Sequence, residues 1–165
     1  MTSAIGLDEL LAWSQECSGF WKGHFDANPA LLELPCSIDG AGTVQGLVRH
    51  IWVADLRWAQ RIGGLPLQAR EDLPAGPLEA LFGLHQQAAV VFKRLLDDPA
   101  QDWETVLALD YAWLPPQLRS ASRRKLMAHA LLHSQRHWAQ LATLLRAAGF
   151  PTGFRGDMIF SAALD

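Results

Sequence analysis

The chain has 165 residues and a mass of 18.2 kDa, which predicts one domain spanning 1–165 with a core that needs no disulfides. Half of the residues are hydrophobic and 19% are charged, which excludes intrinsic disorder and favours an apolar subunit contact, so a homodimer is expected. The net charge of −3 and the scattered Lys and Arg leave no basic stripe for a phosphate backbone, and nucleic acid is not expected as a partner.

The N-terminus, MTSAIGLDELLAW, carries neither a basic segment nor a cleavage site. No apolar run approaches the ~18 residues of a membrane span, so a cytoplasmic protein without a membrane partner is expected. Four segments then show helical periodicity. The first runs from Leu7 to Ala27 and stops at Asn28-Pro29, with Leu10, Ser14, Cys17, Trp21 and His24 on one side. Cys17 and Cys36 form no CxxC pair and read as ordinary thiols of a reducing compartment. Asp39-Gly40-Ala41-Gly42 precedes the second segment, Thr43 to Ile62, which ends at Gly63-Gly64-Leu65-Pro66. Its apolar stripe is Leu47, Ile51, Ala54 and Trp58; Trp52 falls far from that stripe, which predicts a dimer contact for it. The third segment runs from Pro77, a good first helical residue, to Asp97. The connection from Pro99 to Ser120 is too long for a simple turn, and Thr105 to Tyr111 predicts a short strand or hairpin within it. The fourth segment runs from Ser122, a suitable N-cap, to Ala148, with Gly149 at the C′ position and Pro151 beyond. The Gly-rich, aromatic tail to Asp165 is expected to pack across one end. Segments of about 20–27 residues make rods of about 30–40 Å. Matched lengths of this kind predict an all-α four-helix bundle.

Six histidines are present, and His129, His133 and His137 are spaced four apart on the fourth segment. Imidazoles one turn apart share a face and can share an ion, but His129 and His137 are separated by about 12 Å of rise, too far for one compact site. At ~100° per residue, His133 and His137 fall inside the arc defined by Leu126, Ala130, Leu141, Leu144 and Ala148, and His129 lies about 80° from its centre. Two adjacent inward imidazoles are costly as filling, which points to a metal; the plainer alternative is core histidines bonded to backbone or buried carboxylates. A further ligand must come from another helix. Periodicity offers His50, His85 and His24 and does not choose among them.

The second segment, Val44-Gln45-Gly46-Leu47-Val48-Arg49-His50 continuing to Asp55-Leu56-Arg57-Trp58, resembles the DinB-like superfamily. So do the fourth, Leu126 to Gln140, and the run from Leu144 to Pro151. The order of elements covers nearly the whole chain. The resemblance implies an up-down-down-up four-helix bundle with a divalent ion between helices, related to mycothiol-dependent maleylpyruvate isomerase and bacillithiol S-transferases. Carried over residue by residue, it implies His50, His133 and His137 as the ligands. The family often continues from the second histidine into Arg-Gly-Gln. Here His137 is followed by Trp138-Ala139-Gln140, so the glutamine is kept and the arginine stands before the histidine, at Arg136. The family's damage-inducible name does not imply DNA binding.

Three neutral imidazoles without a thiolate leave coordination positions open, as in catalytic rather than structural sites, and suit Zn²⁺ or Ni²⁺. The reading that follows is a metal-dependent enzyme, a thiol S-transferase or hydrolase acting on a small molecule, with a low-molecular-weight thiol as a possible second substrate. The alternatives are a non-catalytic, stress-related bundle that binds a metal or ligand, and a bundle whose histidines merely pack. Asp55, a turn beyond His50, is a candidate to orient a ligand or take a proton, against the plainer reading of a surface carboxylate. Arg119, Arg123, Arg124 and Lys125 open the fourth helix, where the dipole disfavours cations. They are candidates to catch a substrate carboxylate, Arg123 among them, against a solvated face. His24 and His85 are candidates to flank the metal, against buried, bonded histidines. Trp13, Trp21, Trp52, Trp58, Trp103, Trp113 and Trp138 are candidates to wall a pocket, and Cys17 reads as a core thiol.

Overall fold

The computed structural model describes residues 5–112 and 114–164. Among them are four long helices: α1 (Leu7–Ala27), α2 (Val44–Ile62), α3 (Leu78–Asp97) and α4 (Arg123–Ala147). All four agree with the periodic segments to within one residue at each end. The caps explain why. Thr43 Oγ1 accepts from Gly46 N at 3.1 Å to start α2, and Ser122 Oγ accepts from Lys125 N at 3.3 Å to start α4. Gly149 takes a left-handed φ of 89° just beyond α4, as the C′ position requires. Pro77 sits one place earlier than expected. It is the N-cap of α3 in an extended conformation, and Leu78 is the first helical residue.

Side-chain contacts give the helix directions. Trp52 meets Phe82, Asp55 meets His85 and Gly63 lies against Val91, so α2 and α3 run parallel. His50 meets His137, Asp55 meets Ser134 and Trp58 meets His129, so α2 and α4 run antiparallel. Lys22 of α1 pairs with Glu79 near the start of α3, while Trp21 stacks on Trp138. Because α1 meets α4 through this stack and also packs on α3, both α2 and α1 touch the remaining two helices. The bundle is all-α and follows the expected up-down-down-up order.

Two antiparallel two-stranded ribbons close the ends. β1 (Pro35–Cys36) pairs with β2 (Gly42–Thr43) ahead of α2, and β3 (Val106–Ala108) pairs with β4 (Ser120–Ser122) ahead of α4. The strand expected between Thr105 and Tyr111 is therefore present, and its partner is the lead-in to α4. The tail differs from expectation. It lies along the side of α1, with the Phe154 ring 5.0 Å from Trp21 and Ser161 Oγ donating to Glu16 Oε2 at 2.7 Å. There the Phe154 ring packs on the aromatic face of Phe20 and Trp21, which supplies its apolar contact.

Trp21, Trp52 and Trp138 are each fully buried and meet at the centre, Trp21 stacked on Trp138 with ring centroids 5.5 Å apart and Trp52 edge-on to Trp138 at 5.8 Å. These three fill the core and do not wall a pocket. Trp13 borders a cavity of about 380 Å³ beneath the tail, Trp58 packs on Tyr111 and His129, and Trp103 is half-buried at the edge. Trp113 lies outside the described residues. The dimer contact expected of Trp52 is not there, because α2 is enclosed on several sides at once and its buried surface is wider than one stripe. The first helix is also rotated from its expected face: Leu11, Ser14, Ser18, Trp21 and Phe25 are buried with Trp13 and Cys17, while Leu10 and His24 are half-buried. No helix among the described residues is long and apolar enough to cross a membrane.

Trp52→Ala should destabilise the chain by about 3–5 kcal/mol, as large-to-small core changes do. Urea melts should give the same loss at low and high protein concentration, whereas an interface tryptophan would make it depend on concentration.

Candidate metal centre

His133 and His137 are one turn apart on α4, and the inward phase of that face brings their Nε2 atoms to 3.1 Å. The antiparallel seam with α2 adds His50, whose ring centroid lies 4.9 Å from His137 and 5.3 Å from His133. One donor atom from each of the three lies within 4.8 Å of the others, a grouping that can hold a metal ion. With metal–nitrogen bonds of about 2.05 Å, two nitrogens 3.1 Å apart subtend about 98° at the ion, between octahedral and tetrahedral values. His50 Nε2 and His133 Nδ1 are buried without a hydrogen-bond partner. An ion would take up the first of these, so the residues fit a divalent cation.

The orientation of His137 is set from outside the cluster. Gln140, one turn further along α4, accepts from Nδ1–H at 2.8 Å, which leaves the lone pair on Nε2 facing the other imidazoles. This is the work of the glutamine noted in the sequence. Three groups converge on that nitrogen: His133 Nε2, the Arg136 guanidinium at 3.1 Å, and Asp39 Oδ2 at 3.2 Å. Asp39 Oδ2 is also 3.8 Å from His50 Nε2 and 3.9 Å from Arg136. Sequence reasoning treated Asp39 only as loop punctuation. The available signal was a carboxylate in the tight Asp-Gly-Ala-Gly turn that leads directly into the histidine-bearing helix.

Burial lowers the proton affinity of every imidazole in the cluster. His133 is pushed down to about 3, chiefly by desolvation and then by the positive potential of His137, His50 and Arg136. His50 and His137 are lowered as well, burial being the largest cause for both. Neutral imidazole is the ligating form, so the cluster is poised to bind.

The other candidates are placed apart from this cluster. Asp55 is not a surface carboxylate: it is 3% exposed, receives Ser134 Oγ–H at 2.5 Å and His85 Nδ1–H at 3.1 Å, and ties α2 to both α4 and α3. His85 is accordingly a buried, bonded histidine, and it is not one of the three in the metal-capable group. It also borders an open groove of about 1210 Å³ with Gln15, Phe82, Gln86 and Lys93, which none of the three clustered histidines lines. His24 is half-buried among Phe20, Trp21 and Phe25, and burial lowers its pKa. His129 is exposed and lies against Trp58, outside the metal-capable group, as the helix phase requires. The basic run divides: Arg119 donates to the carbonyls of Leu114 and Ala112, Arg124 pairs with Glu104 at 2.9 Å, and Lys125 is exposed. Arg123 is half-buried with no partner for its Nε. Burial raises the Cys17 thiol to about 11, which leaves it an inert core group.

No protein-family model matches the chain, and no curated protein matches it.

Two outcomes follow from this geometry. Asp55→Ala should cost about 1–3 kcal/mol, since it leaves the buried His85 Nδ1–H without an acceptor and Ser134 Oγ–H with only its 3.4 Å contact to the Ala130 carbonyl; denaturant melts would measure it. For metal-free protein, stability should be complete above about pH 6.5, the ordinary histidine value, and fall progressively below it. The sign follows from the lowered imidazoles: the unfolded chain takes up protons at 6.5 that the folded chain refuses, down to about 3 for His133. Melting temperatures across pH 4–8 in the presence of a chelator would check this.

Proposed function

We propose that this chain is a metal-dependent enzyme of the DinB-like type, a thiol S-transferase or hydrolase acting on a small electrophilic molecule. The observation that supports this most is the cluster of His50, His133 and His137, three neutral nitrogen donors with no thiolate. A donor set of three imidazoles leaves room for an exogenous ligand, which is the arrangement of catalytic sites. Zn²⁺ or Ni²⁺ suits these donors. When bound, such an ion supplies Lewis acidity, lowering the pKa of a thiol or water so that the nucleophile is available near neutral pH.

The chain's own groups have separable tasks in this reading. His50 and the α4 pair hold the cation from two helices. Gln140 keeps the His137 lone pair directed inward. Arg136, 61% exposed at the edge of the cluster, is free to swing toward an anionic substrate group. Asp55 is a positioning residue that holds Ser134, the neighbour of His133, against α2. The substrate pair is a low-molecular-weight thiol and an electrophile, and the site of action is the cytoplasm.

Metal analysis of untagged protein should find a stoichiometric divalent ion, and His133→Ala should lose it together with turnover of an electrophile in the presence of a low-molecular-weight thiol. A stoichiometric ion without turnover over a panel of thiols and electrophiles would favour a non-catalytic metal-binding bundle. Absence of any ion, with no uptake on titration, would mean that the histidines merely pack.

A further inference from the structure

We infer that Asp39 is a fourth protein ligand, so that the resting centre is a three-imidazole, one-carboxylate site; this rests on the metal-binding reading above. Asp39 belongs to the turn between β1 and β2, and its side chain reaches the cluster from a different element than either histidine helix. Its Oδ2 lies 3.2 Å from His137 Nε2 and 3.8 Å from His50 Nε2. Adjacent ligand atoms around a tetrahedral ion with bonds of about 2.0–2.1 Å are about 3.3–3.4 Å apart. The carboxylate stands at that spacing from His137 and somewhat beyond it from His50, outside the tight three-histidine group, so ligation requires the exposed side chain to move further in.

The electronic arrangement supports the same conclusion. Gln140 holds the proton on His137 Nδ1, so Nε2 presents a lone pair to a carboxylate oxygen. Two electron-rich atoms at 3.2 Å repel unless positive charge stands beside them. In the present arrangement Arg136 supplies that charge, with its guanidinium 3.1 Å from Nε2 and 3.9 Å from Asp39 Oδ2. A divalent cation supplies it better, and the exposed arginine side chain can withdraw.

The backbone is shaped to deliver this group. Among the described residues Asp39 is the one non-glycine with a left-handed φ, 48°, a conformation that Asp and Asn tolerate better than other side chains. The turn is pressed onto the start of α2: a Cβ on Gly46 would stand 2.1 Å from the Ala41 carbonyl oxygen. Glycine at 46 thus permits the approach that brings Asp39 within reach of His50 and His137. The Asp39 side chain is 48% exposed, so of the four groups its carboxylate would be the one best placed to give way to an exogenous ligand if an ion were bound.

The test is Co²⁺ titration of metal-free protein, reading both affinity and the visible d–d spectrum, for wild type, Asp39→Asn and Asp39→Gly. Both substitutions suit the left-handed backbone, so the turn is retained. Each variant should bind Co²⁺ about 10- to 100-fold more weakly, the range seen when support of a metal site is lost, and with a changed d–d spectrum. Added acetate should restore the wild-type spectrum of Asp39→Gly. Weaker binding with an unchanged spectrum would make Asp39 a source of field only and overturn ligation, as would wild-type affinity and spectrum in both variants. Failure of the wild-type protein to bind Co²⁺ would overturn the three-histidine reading itself, and this inference with it.

Discussion

The seam between α2 and α4 is organised by imidazole nitrogens turned toward one another inside the bundle. Neutral nitrogens 3.1 Å apart, on half-buried and fully buried rings, gain little from each other and lose their water. Something must hold them there. Part of the answer is the packing just beyond. Trp138 follows His137 directly, is stacked on Trp21 and meets Trp52 edge-on, so rotating α4 to release the histidines would tear open the aromatic core. The rest is polar: Ser134 follows His133 and donates to the buried Asp55 carboxylate, which fixes the register of α4 on α2. The cluster is therefore preorganised by neighbours that take no part in it.

This separates the two buried polar groupings of the bundle. Asp55, His85 and Ser134 largely satisfy one another, with donors and an acceptor in complementary pairs, and only His85 Nε2 left without a partner. Such a network reads as fastening between three helices. His50, His133 and His137 offer an excess of lone pairs, and their nearest cation is an arginine on the exposed rim. An unbalanced group of this kind is suited to taking up a positive charge from outside, which is why chemistry is assigned to it and structure to the other.

The helix entry of α2 connects fold to site. Thr43 caps the helix, Val44 N donates to Leu34 O at 2.9 Å, and the β1–β2 turn folds down onto Gly46. On the next turn Arg49 holds the carbonyls of Arg70, Leu73 and Pro74, pinning the α2–α3 connection beside His50. Two loops are thus anchored around one histidine. A helix start that could move freely would leave the distance between His50 and the α4 pair undefined.

Local information determined the rods and one face of one of them. Periodicity and caps place all four helices to within a residue, because N-cap hydroxyls, prolines and a left-handed glycine act over three or four positions. Helix phase likewise turns His133 and His137 inward and leaves His129 outside, because the angle between residues of one helix is set by its own backbone. Phase could not choose among His24, His50 and His85; only the family resemblance pointed to His50, and the packing of α2 on α4 brings it to the pair. The same packing buried Trp52 and Asp55, which a single-stripe view of α2 assigns to the surface, since a helix enclosed by several neighbours has no one inner face. Asp39 was the least legible of all. Its role depends on where a turn settles against a helix start, and that distance is decided by contacts between elements, which no spacing along the chain encodes.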